Sequence, residues 1–461
     1  MNLIGHFKPH RILLACCLAL SVIVTQAAYN PLFPDFPGPY CESVRQCCSD
    51  RQDSCSLRIA VKDQDSENSI KDTLCYCDSF CERDHSPDCC PDYQTFCKGL
   101  PPPPPLTTCL HNGKYYNYSQ TMRENCNTCK CGAEGRMTCT NDVCITDEAL
   151  VHNVNLISSS LGWEARNHSE FWGRTLKEGL KLRLGTLEPS FKVKSMARLT
   201  NKATTIPRHF NAVNHWGLND EIVDQGWCGT SWVVSTTSVA SDRFAVHSKN
   251  REVVQLSPQH ILSCARRSRG CNGGHLDVAW RFLNKYGVVD DDCYPYNPKE
   301  TQCRIHHTKD LLKAGCAPPT NVPRRDFYST GPAYSLNNET DIMIEIMESG
   351  PVQATMRVYR DFFSYSRGVY RHSAASRSED FGFHSVRLVG WGEEAGYNPI
   401  KYWIAANSWG DWWGEDGYFR ILRGSNECLI EDYVLAAWPY VYDDIKDNRR
   451  GRRGRRAHHR H

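Results

Sequence analysis

The run Asp224-Gln225-Gly226-Trp227-Cys228-Gly229-Thr230-Ser231-Trp232 decides how the rest of this chain is read. Two later runs are read with it: Phe383-His384-Ser385-Val386-Arg387-Leu388-Val389-Gly390-Trp391-Gly392 and Asn407-Ser408-Trp409-Gly410. Between them lies Cys271-Asn272-Gly273-Gly274. Together they hold a hydroxyl, an imidazole and two side-chain amides. Those groups can respectively attack, take a proton and orient or stabilise charge. No glycine-rich phosphate loop and no metal-ligand set occurs, so no cofactor or metal is expected.

These runs resemble the signature segments of papain-family, cathepsin-like cysteine proteases. The resemblance implies that Gln225 is the oxyanion glutamine, His384 the catalytic histidine and Asn407 the asparagine that orients it. Ser231 stands where the family has its nucleophilic cysteine. It also implies that Cys228 pairs with Cys271, that Ser231 heads the central helix of one lobe, and that the other lobe supplies His384 and Asn407. Trp409, Trp412 and Trp413 would shield the Asn-His contact and line the cleft. Residues 206–440 are read as this domain, from Ile206-Pro207-Arg208-His209-Phe210 onward. The expected fold class is α+β: a two-lobed papain-like domain preceded by small disulfide-rich modules.

The exchange at 231 matters chemically. A thiol titrates near pH 8.5, and an adjacent imidazole lowers it by several units, so a cysteine rests as thiolate. A serine hydroxyl cannot. It needs a base at the moment of attack and support for the imidazolium that forms. In serine-protease triads a carboxylate gives that support, and an amide in its place costs about 10⁴ in turnover. With neutral Asn407 as third member, a pseudo-peptidase is expected. Weak residual serine-based proteolysis is the alternative. Thr230, where many relatives have serine, and Trp227 indicate a segment that has drifted, not a single deliberate exchange.

At 461 residues the chain has room for several domains, and its formal charge is +2. Residues 1–28 read as a secretory signal, with His6, Lys8, His10 and Arg11 ahead of apolar Ile12 to Val24, a stretch too short to span a bilayer. No later apolar stretch is long enough either, so no transmembrane segment is expected. Beyond Cys16 and Cys17, 23 of the 25 cysteines remain, a secreted pattern. Asn117, Asn167 and Asn338 open N-x-S/T glycosylation motifs.

Residues 37–100 hold ten cysteines from Cys41 to Cys97. Cys75-x-Cys77 and Cys89-Cys90-Pro91-Asp92-Tyr93 resemble a somatomedin B module, with pairing open. A zinc site is the weaker alternative there. Residues 101–108 carry the run Pro101 to Pro105, a stiff polyproline spacer or, less simply, a proline-motif ligand. Residues 109–146 contain Cys126-Asn127-Thr128-Cys129-Lys130-Cys131, which resembles a von Willebrand type C module. Residues 147–205 lack cysteine, and Val151 to Leu161 and Phe171 to Leu184 have helical apolar spacing. This stretch resembles a cathepsin B propeptide, which in active relatives blocks the cleft until removed.

Cys264, Cys293, Cys303 and Cys316 are expected to form two further bridges of open connectivity. Cys428 remains as a free thiol on an expected strand, Glu427 to Glu431. Cys303-Arg304-Ile305-His306-His307 resembles a shortened occluding loop, or else the histidines are merely exposed. His275 either lines the cleft or sits on the surface. The segment 441–461 ends with seven arginines between Arg449 and His461. It reads as a polyanion-binding tail, for instance for glycosaminoglycans, or as a solvated or processed end. Nucleic acid is not an expected partner.

The order of modules resembles the tubulointerstitial nephritis antigen family, and within it the invertebrate members. The resemblance implies a secreted glycoprotein that binds extracellular matrix proteins, cell-surface receptors or secreted signalling proteins, Wnt-type proteins among them. An apolar, tryptophan-lined cleft freed from catalysis is expected to be able to cover an acyl chain. A decoy that engages protease partners through an intact cleft is a further possibility.

Overall fold

The computed structural model describes residues 38–62, 70–82, 88–100, 108–132, 135–200, 204–305, 311, 314, 316, 325–376, 380–395 and 399–442. The stretch 1–28 read as a secretory signal, the Pro101–Pro105 run, His306, His307 and the arginines between Arg449 and His461 lie outside them. The chain divides into two compact units, Met1–Thr121 with Lys130–Thr138, and Met122–Cys129 with Cys139–His461. Among the described residues no helix is long and apolar enough to cross a membrane.

The first unit has little apolar material to bury, so bridges substitute for a core. An antiparallel hairpin, Ser56–Lys62 with Ile70–Tyr76, pairs Leu57 with Cys75. Around it run Cys41–Cys77, Cys47–Cys97, Cys48–Cys55, Cys75–Cys90 and Cys81–Cys89. All ten cysteines are thereby used, and Cys75 and Cys77 are disulfide partners, not metal ligands. Tyr93 is buried among them. Cys109–Cys131 also belongs to this unit.

In the second unit, Cys126–Cys144 and Cys129–Cys139 precede a large α+β body. A continuous sheet runs in the order Tyr334–Leu336, Tyr433–Ala436, Val352–Tyr359, Phe381–Glu393, Lys401–Ala406, Tyr418–Leu422, Tyr365–Tyr370, Trp163–Ala165. The short strand Phe210–Asn211 pairs beside Phe381–Glu393. Trp391, Trp403, Trp413, Phe362 and Phe419 are among the residues filling the core of this lobe.

The helical lobe is built on Ser231–Ser248, with Pro258–Cys264 and Leu276–Lys285 around it. Nearly every residue of the long helix is buried, so it has no polar face to show. Its hydroxyls instead bond back to its own carbonyls: Ser235 to Ser231, Thr236 to Trp232, Thr237 to Val233, Ser241 to Thr237. Two buried arginine pairs hold it to the sheet lobe. Arg243 bonds Glu345 and the Tyr334 hydroxyl, and Arg387 reaches Asp242 at 2.8 Å.

Some expectations need correction. Glu427–Leu429 is a 3₁₀ turn, not a strand: Cys428 and Leu429 have φ of +51° and +62°, outside any extended conformation. Cys428 is unpaired and half-buried, and burial pushes its thiol well up. The helical spacing of Phe171 to Leu184 is not one helix. Gly173, at φ +76°, breaks the backbone after Ser169–Phe171. The α-turn Leu176–Gly179 starts only at the Thr175/Glu178 capping box and then widens into a π-helical turn, Leu180–Leu184. The two open bridges are Cys264–Cys303 and Cys293–Cys316.

A closed cleft as candidate functional site

Ser231 is the first residue of its helix, and its side chain is fully buried. The strand Phe381–Glu393 carries His384, and Asn407 follows directly on the strand Lys401–Ala406. The Cys228–Cys271 bridge ties the turn before Ser231 to the turn that carries Gly273 and Gly274. Gln225 is held by a double contact with Ser408, through its backbone N–H and through its Oε1, which accepts from the Ser408 hydroxyl at 2.6 Å. The fold thus brings Gln225, Ser231, His384 and Asn407 together.

The imidazole is arranged by one bond. His384 Nε2 lies 2.7 Å from Asn407 Oδ1, which also accepts from the Ser408 N–H at 2.8 Å. An amide oxygen only accepts, so Nε2 carries the proton. Nδ1 then holds the lone pair, and it is buried with no hydrogen-bond partner among the described residues. Burial holds the His384 imidazole down at about 4, against the opposing pull of the Asn407 contact, and Arg183 adds to the lowering. The ring is neutral at pH 7 and lies 5.4 Å from that of Trp409.

The serine makes no hydrogen bond to this base among the described residues. Its Oγ is 2.8 Å from Thr186 Oγ1, and Thr186 in turn donates to Ser385 Oγ at 2.9 Å. A hydroxyl has one proton. Thr186 spends its proton on Ser385, so the Ser231 proton goes to Thr186. Ser385 continues the chain to Thr355 at 3.1 Å.

Leu184 to Leu187 therefore lies inside the cleft. Gln225 Nε2, the donor an oxyanion would need, bonds Leu184 O and Cys228 O, each at 3.0 Å. Thr186 bridges to Gly274 on one wall and to Phe383 on the other. Gly185 has φ +104°, and a Cβ there would stand 2.0 Å from the carbonyl carbon of Gly229. Only glycine lets the two backbones meet so closely. Arg183 anchors the plug from the side. It is buried, bonds Asp224 at 2.9 Å and Trp409 O at 3.1 Å, and is ringed by Phe171, Trp227, Trp409 and Trp412.

The plug is also part of the fold. Trp163–Ala165 is a strand of the sheet, and Phe171, Leu176 and Leu184 belong to the main core. His168 is buried with Nε2 3.0 Å from Tyr365 O, and burial lowers it to about 4. An open tryptophan-lined cleft is accordingly absent among the described residues. Trp409 and Trp413 are fully buried core residues, and the groove is filled by chain.

Thr186, Leu184 and Arg183 were not legible as site residues. The resemblance of residues 147–205 to a cleft-blocking propeptide pointed to the stretch, but not to these individual side chains. His275 is half-buried and contacts the carbonyl of Glu188 just beyond the plug at 3.1 Å. Asn117, Asn167 and Asn338 are all exposed, although Asn338 also caps the helix Glu339–Ser349.

Residues 206–438 match the family described as "Papain family cysteine protease". The chain belongs to the papain family. It is 43% identical over 434 residues to "Tubulointerstitial nephritis antigen-like" of Rattus norvegicus, covering 88% of this chain and 90% of that protein. It is 42% identical over 430 residues to "Tubulointerstitial nephritis antigen" of Homo sapiens, with 87% of each covered. Within the papain family it therefore groups with the tubulointerstitial nephritis antigen-like proteins. Among solved structures, "proCathepsin B S9 from Trypanosoma congolense" superposes with a TM-score of 0.53 at 31% identity, over 64% of this chain and 99% of that one.

Proposed function

We propose that this chain is a secreted, catalytically inactive cathepsin B-like glycoprotein that works by binding in the extracellular matrix or at the cell surface. The observation that carries this reading is the engagement of the Ser231 hydroxyl by Thr186, while the neutral His384 offers its lone pair to nothing. A serine nucleophile needs the opposite arrangement: its proton directed at the base, a free oxyanion donor, and support for the imidazolium. Here the donor Gln225 is occupied by Leu184, and the supporting group is an amide.

Eleven disulfides among the described residues suit an oxidising compartment. Three exposed asparagine motifs suit a glycoprotein. Matrix proteins, receptors and secreted signalling proteins, Wnt-type proteins included, are the partner classes that follow. With the cleft filled, they would dock on outer surfaces and not in the groove.

The test is labelling and hydrolysis together. The full chain should cleave no cathepsin-type dipeptide or tripeptide substrate above background and take no fluorophosphonate at residue 231. Turnover abolished by Ser231→Ala would overturn the reading. Capture from extracellular fluid followed by mass spectrometry would then name the partner.

A further inference from the structure

The turn after the helix Pro258–Cys264 carries three exposed arginines, Arg266, Arg267 and Arg269. None of the three makes an ion pair among the described residues. A second loop, residues 299–304, lies alongside and adds exposed Lys299 and Arg304. Cys264–Cys303 joins the two loops, the hydroxyls of Ser263 and Thr301 are 2.8 Å apart, and the Gln259 amide donates to Lys299 O at 3.1 Å. The one acid in either loop, Glu300, is already engaged, since its Oε1 accepts from the Cys271 N–H at 2.8 Å. Like charges gathered this way repel one another, and one acid does not balance five cations.

The backbone that presents these charges is fixed. The Ser268 N–H donates to Ala265 O at 3.2 Å, the Arg269 N–H to Gly273 O at 2.8 Å, and the Asn272 N–H to Arg269 O at 2.9 Å. The bridges Cys264–Cys303 and Cys228–Cys271 clamp the turn at its two ends. The Arg304 guanidinium lies 4.3 Å from the centre of the buried Tyr294 ring. The array is thus set before any partner arrives, which lowers the cost of binding.

We propose that Arg266, Arg267, Arg269, Lys299 and Arg304 form a binding surface for a sulfated polysaccharide. The proposal rests on the reading above only in taking the chain as secreted and its partners as docking on outer surfaces. Guanidinium forks pair with the oxygens of such anions, and a linear polyanion can reach both loops at once. The make-up of the surface argues against a folded protein in its place. A protein contact is anchored by aromatic or large aliphatic side chains that it buries. No large apolar residue of 264–271 or 299–305 is exposed. An acidic polypeptide is the other occupant to be distinguished by the test.

The experiment measures binding of the full-length protein to heparin, to chemically desulfated heparin and to polyglutamate across a salt series. Arg266→Gln/Arg267→Gln/Arg269→Gln removes the charges of the turn, and Lys299→Gln/Arg304→Gln those of the second loop. The control, Lys177→Gln/Arg208→Gln/Lys249→Gln, removes as much charge as the turn variant from exposed residues on other elements. Thermal melting checks that all three fold. The turn variant should bind heparin about tenfold more weakly or worse, with a shallower salt dependence, because fewer counterions are released. The second-loop variant should move both readings the same way, and it decides alone if the turn variant fails to fold. The control should stay within about twofold of the parent, since exposed charges beyond about 8 Å are largely screened at physiological salt. Heparin binding unchanged in the folded loop variants, or weakened as much in the control, overturns the surface. Desulfated heparin or polyglutamate binding as tightly as heparin overturns the sulfated class. Neither failure touches the hydrolysis and labelling test, so this surface can fall while the inactive-binding reading stands.

Discussion

Thr186 Oγ1 lies 2.8 Å from Ser231 Oγ, inside a buried chain of hydroxyls that leads on to Ser385 and Thr355. The side chain at the nucleophile position is thereby held by a residue of the plug, not by His384.

Restoring sulfur at residue 231 should not by itself restore reactivity. Ser231→Cys should react with an epoxide inhibitor at pH 7 at least about a hundredfold more slowly than an open papain-like site, because Leu184 to Leu187 covers the atom. Combining it with Gly185→Ala, which pushes against Gly229, should speed labelling. Rapid labelling of the single variant would show that the plug leaves spontaneously.

Gly185→Ala alone tests the plug as a structural element. The Cβ would meet the Gly229 backbone at 2.0 Å in a left-handed conformation. Backbone cannot step aside as a flexible side chain does. The change should cost about 3 kcal/mol or more, read as a lower melting midpoint, and should expose the stretch after Leu187 to limited proteolysis. An unchanged melt would mean that the contact yields easily.

Acid should loosen the same region. His168 is held down at about 4 by burial, whereas an unfolded histidine titrates near 6.5. Its folded pKa is depressed, so the folded state binds fewer protons between these values. Stability is fully present above about pH 6.5 and falls as pH drops toward about 4, by about 3 kcal/mol for this group. His168→Gln, which can still donate to Tyr365 O, should flatten the pH dependence over that window in chemical denaturation. His372 acts oppositely. Its contact with buried Asp361 raises it despite partial burial, so it adds stability below about pH 6.5 that is lost as pH rises through its folded value. His372→Gln should therefore lower stability by a constant amount below about pH 6.5 and flatten the fall above it, leaving the acid slope between about 6.5 and 4 unchanged.

Arg243 and Glu345 form a pair with almost no solvent access. Arg243→Met should destabilise the fold by about 3–5 kcal/mol, because it leaves the Glu345 carboxylate buried without its partner. Adding Glu345→Leu should recover much of the loss. If the double variant is no more stable than the single one, the stranded charge was not the cause.

The arginine tail makes a separate prediction. A chain ending at Asn448 should leave a heparin column at clearly lower salt than the full chain, and its binding should depend less steeply on salt. Equal elution would confine polyanion affinity to the described domains.

The identity of the atom at residue 231 needs no fold to interpret. Serine cannot rest as an oxyanion the way cysteine rests as a thiolate, and the neutral amide at Asn407 cannot stand in for a carboxylate. The α+β papain-like class was likewise legible, because the Gln225, His384 and Asn407 runs are short and local. Tertiary structure decided what the cleft contains. Thr186 is 45 residues from Ser231 and 199 from Ser385 in the chain, and contacts at that separation leave no periodic trace. The same reason hid the bridge connectivity in the cysteine-rich stretches, where many pairings satisfy one sequence. It also made Trp409 and Trp413 read as cleft lining. Bulk and apolarity say that such rings are buried, but only packing says whether chain or ligand covers them.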